Sequence, residues 1–247
     1  MILRHELWIS ARQSAVAATC WLFAAALAFV VFFAVVLLVF RFVDPPTSAV
    51  MVRNQVSGAT VRQTWMPLER ISPNIVYAVI SSEDARFCRH NGIDWTEASR
   101  ALRSASANGI DKARGASTIT MQVAKNLFLW TDRSLLRKGL EVAITPMIEL
   151  FWPKRRIIEV YLNIAQWGPG VFGIAEAAKL HFDHPASDLS ATEASLLTAS
   201  LPAPSVRRPG RATRFTRRIA ARIRRRMRQG SVEVGCIYEP GTARPYQ

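Results

Sequence analysis

The sequence predicts an all-α protein carrying one N-terminal transmembrane helix. Three observations lead there. Residues 15–40 form an apolar run with no charged residue and no proline. From about residue 70 onward, apolar residues recur at helical spacing between recognisable caps and breakers. No internal repeat and no series of alternating strands is evident. Size and composition agree with this: 247 residues, half of them hydrophobic, supply one sizeable domain besides a membrane segment. The same composition excludes a disordered chain. Three cysteines exclude a disulfide-stapled scaffold.

The run Ala15–Phe40 is 26 residues long, about 39 Å as a helix and enough to cross a bilayer core of about 30 Å with some tilt. It is longer than a signal-peptide apolar region and ends in bulky Val39-Phe40 rather than a small-residue cleavage site, so it reads as an uncleaved anchor. Arg4 and Arg12 outweigh Glu6 in the residues before it. The positive-inside tendency therefore puts residues 1–14 in the cytoplasm and everything after Phe40 across the membrane. Cys20 lies within the span. Cys88 and Cys236 would face an oxidising compartment, and the sequence does not decide whether they pair.

Asp44-Pro45-Pro46 stops the anchor and opens a linker, residues 41–69. Within it Val50-Met51-Val52-Arg53 and Thr60-Val61-Arg62 read as short strands or plain linker. Ser72-Pro73 is an N-cap followed by proline at the first helical position. The apolar stripe Ile75, Val76, Val79, Ile80 then leads directly to Glu83. Further helices are expected at Trp95–Ser106, Ser117–Phe128, Ser134–Trp152 (kinked by Pro146), Lys154–Asn163 and Gly173–Phe182, with a loop at Ala105–Gly115. Ser190-Ala191-Thr192-Glu193 is a capping-box pattern opening a helix that stops at Pro202. The last helix spans roughly Thr213 to Gln229, with Phe215, Ile219, Ile223 and Met227 on one face.

The net charge of +14 favours an anionic partner, and its location narrows the choice. Eleven arginines and no acidic residue fall between Arg207 and Arg228. Without them the chain holds 21 positive and 18 negative residues. The basicity is mostly one C-terminal segment, residues 206–247.

The sequence contains no P-loop, no dinucleotide fingerprint, no His-Glu-x-x-His, no Gly-x-Ser-x-Gly and no paired Cys-x-x-Cys. Two carboxylates stand out instead. Glu83 closes an apolar stripe, where burial would raise its pKa toward neutrality and suit it to general acid–base work; the alternative is a solvent-facing helix end. Glu141 follows Arg137 by four residues and Lys138 by three, which brings those cations beside it on a helix. Gln122 and Lys125 share a helix face, and Arg133 and Arg137 follow. Such a set could cradle phosphate oxygens, aided by free amides at the Gly115–Thr118 helix start. The plain alternative is Ser117 capping that helix beside solvated cations. His90 reads as a hydrogen-bonded structural residue. Asn163 and Gln166, with Trp167-Gly168-Pro169-Gly170, form a rigid turn that either lines a site or is only a turn.

Taken together, these runs resemble the signatures of the peptidoglycan glycosyltransferase family. Glu83-Asp84 through Phe87, His90, Gly92 and Asp94 looks like its first signature, and Gly115 to Asn126 its second. Arg137-Lys138-Gly139-Leu140-Glu141 looks like the third, Lys154 to Asn163 the fourth, and Gly168 to Phe182 the next. They lie in the family's order across residues 70–205. The resemblance is closest to the monofunctional biosynthetic transglycosylases of Gram-negative bacteria.

It implies a lysozyme-like glycosyltransferase lobe with a small membrane-proximal lobe. The implied activity is polymerisation of lipid II by inverting transfer from an undecaprenyl-diphosphate donor, at the inner membrane with the catalytic domain periplasmic. With no Ser-x-x-Lys in the sequence, cross-linking activity is not expected. Glu83 and Glu141 would be the catalytic carboxylates, Glu83 the base. Ser117, Gln122, Lys125, Arg133, Arg137 and Lys138 would bind substrate, and Asp84, His90 and Asn163 would support the site. No cofactor is required by the resemblance, and a divalent cation, Mg or Mn, is compatible with the diphosphate. Expected partners are lipid II and the growing glycan, with cell-wall synthesis proteins compatible and nucleic acid not expected. The arginine helix would rest on anionic headgroups. One departure is Met121-Gln122 where the family has Gln-Gln. Two other readings fit part of the pattern: a lysozyme-like glycan-cleaving enzyme, which would need no diphosphate grip, and a non-catalytic basic membrane-surface or nucleic-acid binder.

Overall fold

The computed structural model describes residues 2–108, 117–132, 134–230 and 232–239, with the side chains of 2–16 and 105–108 outside the description. The chain forms two compact units, residues 1–43 and 44–247.

The first unit is a single helix, α1 (Ile2–Phe42). Its segment Ala17–Phe42 is long and apolar enough to cross a membrane, and it leaves Trp21, Phe23, Phe29 and Phe32 exposed. Asp44-Pro45-Pro46 follows its end, as the missing amides of the two prolines dictate.

The second unit is helical, with one very small sheet. The first part of the linker is not strand: Ala49–Val56 is α2. Ser48 caps it by accepting the Met51 amide at 3.3 Å, and Val50 and Met51 are buried. A cap and one apolar face therefore outweigh the β propensity of its valines. Arg62–Gln63 is the short strand β1. It pairs in parallel with β3 (Val171–Phe172), which pairs antiparallel with β2 (Gln166–Gly168). Gly170 turns between β2 and β3 at φ +67°, where a Cβ would lie 2.1 Å from the Thr60 carbonyl oxygen.

Helix α3 (Pro73–Glu83) starts at the Ser72 cap, whose hydroxyl accepts the Asn74 amide. Its stripe of Ile75, Val76, Val79 and Ile80 is fully buried, each side chain contributing about 1.5–3 kcal/mol of transfer free energy. Helix α4 covers Trp95–Asn108 and so takes in the first four residues of the expected loop, whose remaining residues up to Gly115 lie outside the description. Helix α5 (Ile119–Phe128) is capped by Thr118, not Ser117: the Thr118 hydroxyl accepts the Met121 amide at 3.2 Å. Helix α6 (Leu135–Phe151) begins at the Ser134 cap and continues through Pro146. Helix α7 (Lys154–Ile164) and helix α8 (Ile174–Phe182) flank the β2–β3 turn.

Helix α9 (Ala191–Ser200) carries the capping box, and Ser190 and Glu193 satisfy each other's amides. It packs between α3 and α10 (Arg214–Arg228), while α5 packs on α6 and α7. The buried stripe of α10 is Thr216, Ala220, Ile223 and Met227; Phe215 is 60% exposed. Of the expected stripe, Ile223 and Met227 are buried as read, while Thr216 and Ala220 take the inner positions in place of Phe215 and Ile219. The small side chains Thr216 and Ala220 let α10 lie close to α9, and the bulky phenyl ring is left to cover the Arg207 guanidinium.

Candidate active site

Three helices build the surroundings of Glu83. Helix α3 delivers it at its last residue, directly after the buried stripe, so the carboxylate emerges where the core meets solvent. Burial pushes its pKa up, against the lowering effects of a Gln122 hydrogen bond and the Lys125 charge. The Gln122 amide, on α5, donates to Glu83 Oε2 at 3.1 Å. On its other side Gln122 Oε1 accepts the Tyr161 hydroxyl of α7 at 3.2 Å. Tyr161 is buried, so it fixes which end of the amide faces the carboxylate.

Glu83 stands between two recesses, each of about 300 Å³. One is lined by Gln122, Lys125, Asn126, Tyr161 and Gln166. The other is lined by Ser82, Asp84, Ser117, Thr118 and Arg226. In the first, Lys125 has its pKa lowered by burial and by Arg137, while Glu83 raises it. Among the described residues no carboxylate lies within ion-pair distance of Lys125, so its charge is available to an anionic ligand.

Helix α6 holds the second cation group. Glu141, 3% exposed, pairs with Arg137, and Lys138 Nζ sits 2.9 Å from Glu141 Oε2. Lys138 Nζ also donates to Ser117 Oγ at 2.9 Å, tying this cluster to the wall of the Glu83 recess. The Lys138 pKa is lowered by burial, then by Arg137 and Lys125. Arg137, Lys138 and Lys125 therefore share one electrostatic neighbourhood with Glu83 at its edge.

Asp84 and His90 build the loop between. Asp84 Oδ1 is 2.9 Å from His90 Nε2, and Asp84 Oδ2 accepts the Ile119 amide at 3.0 Å. The α5 N-terminus is thus occupied by a side-chain carboxylate and by Thr118, which corrects the expectation that its amides are open to phosphate. Gly92, at φ +89°, turns this loop under α6, where a Cβ would meet Thr145 Cγ2 at 2.5 Å. Cys88, in the same loop, is disulfide-bonded to Cys236, and Arg89 pairs with Glu233 at 2.7 Å. The C-terminal tail is thereby fastened to the loop that carries Asp84 and His90.

The remaining expected residues divide. Arg133 lies outside the described residues. Asn163 is fully buried and away from both recesses: it accepts the Met66 amide at 2.8 Å and donates to the Met66 and Glu159 carbonyls at 2.9 Å. Its part is to hold the segment after β1 against α7. Sequence reasoning missed Tyr161 and Arg226. Tyr161 sits inside the fourth signature-like run, and a hydroxyl on an otherwise apolar helix face was its available signal. Arg226 carried none that set it apart from its neighbouring arginines.

The helical lobe thus presents a desolvated carboxylate beside a lysine that has no ion-pair partner among the described residues, an arrangement that suits transfer from an anionic leaving group. Residues 50–228 match the Transglycosylase family, and the chain belongs to that family, whose domain is lysozyme-like. It is similar to the biosynthetic peptidoglycan transglycosylase of Rhodospirillum centenum, 50% identical over 206 residues that cover 81% of this chain and 87% of that one. Proteins of the same description from Haemophilus influenzae (46% over 210 residues, 81% and 84% covered) and Agrobacterium fabrum (45% over 196 residues, 78% and 85% covered) are also similar.

Proposed function

We propose that this chain is a peptidoglycan glycosyltransferase that polymerises lipid II into glycan strands. Glu83 takes the proton of the acceptor sugar hydroxyl as that oxygen attacks the donor's anomeric carbon. The bond from that carbon to the diphosphate oxygen breaks, and its electron pair leaves with the lipid diphosphate. A single displacement of this kind inverts the anomeric centre. Lys125 faces the charge that develops on the leaving group, with Arg133, Arg137 and Lys138 completing the cationic wall. Glu141, held by Arg137 and Lys138, acts through those cations as a positioning residue, and Asp84, His90 and Asn163 hold the frame.

The observation that carries this reading is Glu83 at the junction of two recesses, with a lysine that no carboxylate among the described residues neutralises. A hydrolase of finished glycan would have no use for that lysine. The description of the similar proteins as biosynthetic peptidoglycan transglycosylases supports the same reading.

The described side chains do not make a set that fits a protein-held metal. Among the described residues no group of three His, Cys, Asp or Glu could hold one, and both site carboxylates have cationic neighbours. Any Mg or Mn would be held by substrate oxygens, and a chelator arm in the assay tests for it. The Cys88–Cys236 bond supports a catalytic unit on the oxidising side of the inner membrane, with the N-terminus cytoplasmic.

The test is polymerisation of lipid II in detergent by the full chain. Glu83→Gln should abolish polymer while the disulfide and helical content persist. A near-normal rate would remove Glu83 as the base.

A further inference from the structure

The cleft at Glu83 does not end at Lys125. Gln166 and Pro204 in its wall also line two further recesses. The nearer one, about 550 Å³, is formed by Thr60 and Arg62, the Pro169-Gly170 turn and Leu180 of α8. The farther one, about 400 Å³, shares Pro169 and Leu180 with it and ends at His181, Arg208 and Arg211. Each has the size of a small-molecule site.

The far end is rigidly built. Residues Pro209–Arg211 form a short 3-10 turn with Pro209 buried. Gly210 in that turn seats against α8, since a Cβ there would lie 2.7 Å from the His181 carbonyl oxygen. Arg208 and Arg211 are thereby displayed on either side of a fixed point.

The lining has one sign of charge. Neither recess has an Asp or Glu in its wall, and Arg62, Arg208 and Arg211 have no ion-pair partner among the described residues. Pro169, Val171 and Leu180 supply an apolar track between them. Two guanidinium forks beyond an apolar track match a ligand with sugar faces along its length and carboxylates on its branches. A simple phosphate would leave the track empty.

We propose that Arg208 and Arg211, at the far end of these recesses, bind a carboxylate on the peptide stems of a glycan strand lying along them. The proposal rests on the glycosyltransferase reading and names a subsite of that same cleft.

The experiment measures strand length made by the full chain from lipid II in detergent without phospholipid. The double variant Arg208→Ala, Arg211→Ala should shorten strands about three- to fivefold, the scale of partly exposed charge contacts. Wild-type enzyme given lipid II with amidated stem carboxylates should make equally short strands, and the variant should not shorten them further. The pair Arg217→Ala, Arg218→Ala, on the outer face of α10, should leave strand length unchanged. Equal strand lengths from variant and wild type, or indifference of the wild type to amidation, overturns the proposal. So does a variant effect that appears only when phosphatidylglycerol vesicles are supplied, which would assign the arginines to a lipid headgroup. A wild-type chain that makes no polymer at all refutes the glycosyltransferase reading itself.

Discussion

Replacing Gln122 with Met should move the acid limb of the rate profile upward. Glu83 must be deprotonated to act, so kcat/KM falls as pH falls through its pKa in the free enzyme. Burial raises that pKa, and the Gln122 hydrogen bond at 3.1 Å is the first effect opposing it. A hydrogen bond to a charged group contributes about 1.5–3 kcal/mol, and one pH unit corresponds to about 1.4 kcal/mol. Loss of the bond should therefore raise the acid limb by about one unit or more. Methionine keeps the side-chain length and the helix, so the displacement isolates the amide. The Tyr161 hydroxyl also loses its acceptor, and Tyr161→Phe should produce a smaller shift in the same direction by freeing the amide to rotate. The assay is initial-rate polymerisation of lipid II from pH 4.5 to 9 with both variants. An acid limb that stays in place, or moves down, would refute the claim that this amide stabilises the ionised base.

Other substitutions should separate chemistry from framework. Glu83 has a folded-state pKa above its unfolded value, so ionising it opposes folding: that penalty grows as pH rises from the unfolded to the folded pKa and is full above it. Glu83→Gln should therefore abolish activity yet raise Tm at pH 8, by about 2–4 °C for each kcal/mol relieved, read by thermal unfolding in detergent. Removing the Cys88–Cys236 bond, which closes 148 residues, should destabilise the unit by up to about 5 kcal/mol on the chain-entropy account; denaturant titration of the double Ser variant checks it. Asn163→Ala should forfeit three part-buried hydrogen bonds from its side chain to backbone groups, a loss of roughly 3 kcal/mol, while the pH profile of the surviving enzyme stays put.

Much of this was legible in the sequence because it depended on local signals. The Ser72-Pro73 cap, the α3 stripe and the Ser190 capping box are contiguous patterns, and each determines its own element. The stripe ending at Glu83 also foretold the burial that raises its pKa. What escaped depended on partners distant in sequence. Val50 and Met51 read as short strand or plain linker because the core they enter is built by residues far along the chain. The second half of the α10 stripe, Ile223 and Met227, was legible, but its first half was misplaced by one residue because close packing on α9 favours Thr216 and Ala220, a preference no periodicity of α10 alone contains. Tyr161 matters through Gln122, 39 residues away. The disulfide spans 148 residues and is fixed by the path of the tail.

The two cation groups are not equivalent, and Glu141 explains why. Arg137 depresses the pKa of both Lys125 and Lys138, and Glu141 is the buried anion that accepts Arg137 and Lys138. Glu141→Gln would leave three cations facing one another without it. Both lysines, already below their ordinary pKa, would be pushed lower, so the basic limb of the rate profile should move to lower pH and KM for lipid II should rise. Lys125→Ala should instead lower the rate at every pH, because the charge that meets the leaving diphosphate would be gone. If Glu141→Gln lowers kcat uniformly with the basic limb unmoved, Glu141 touches the reacting atoms directly and the positioning argument is wrong.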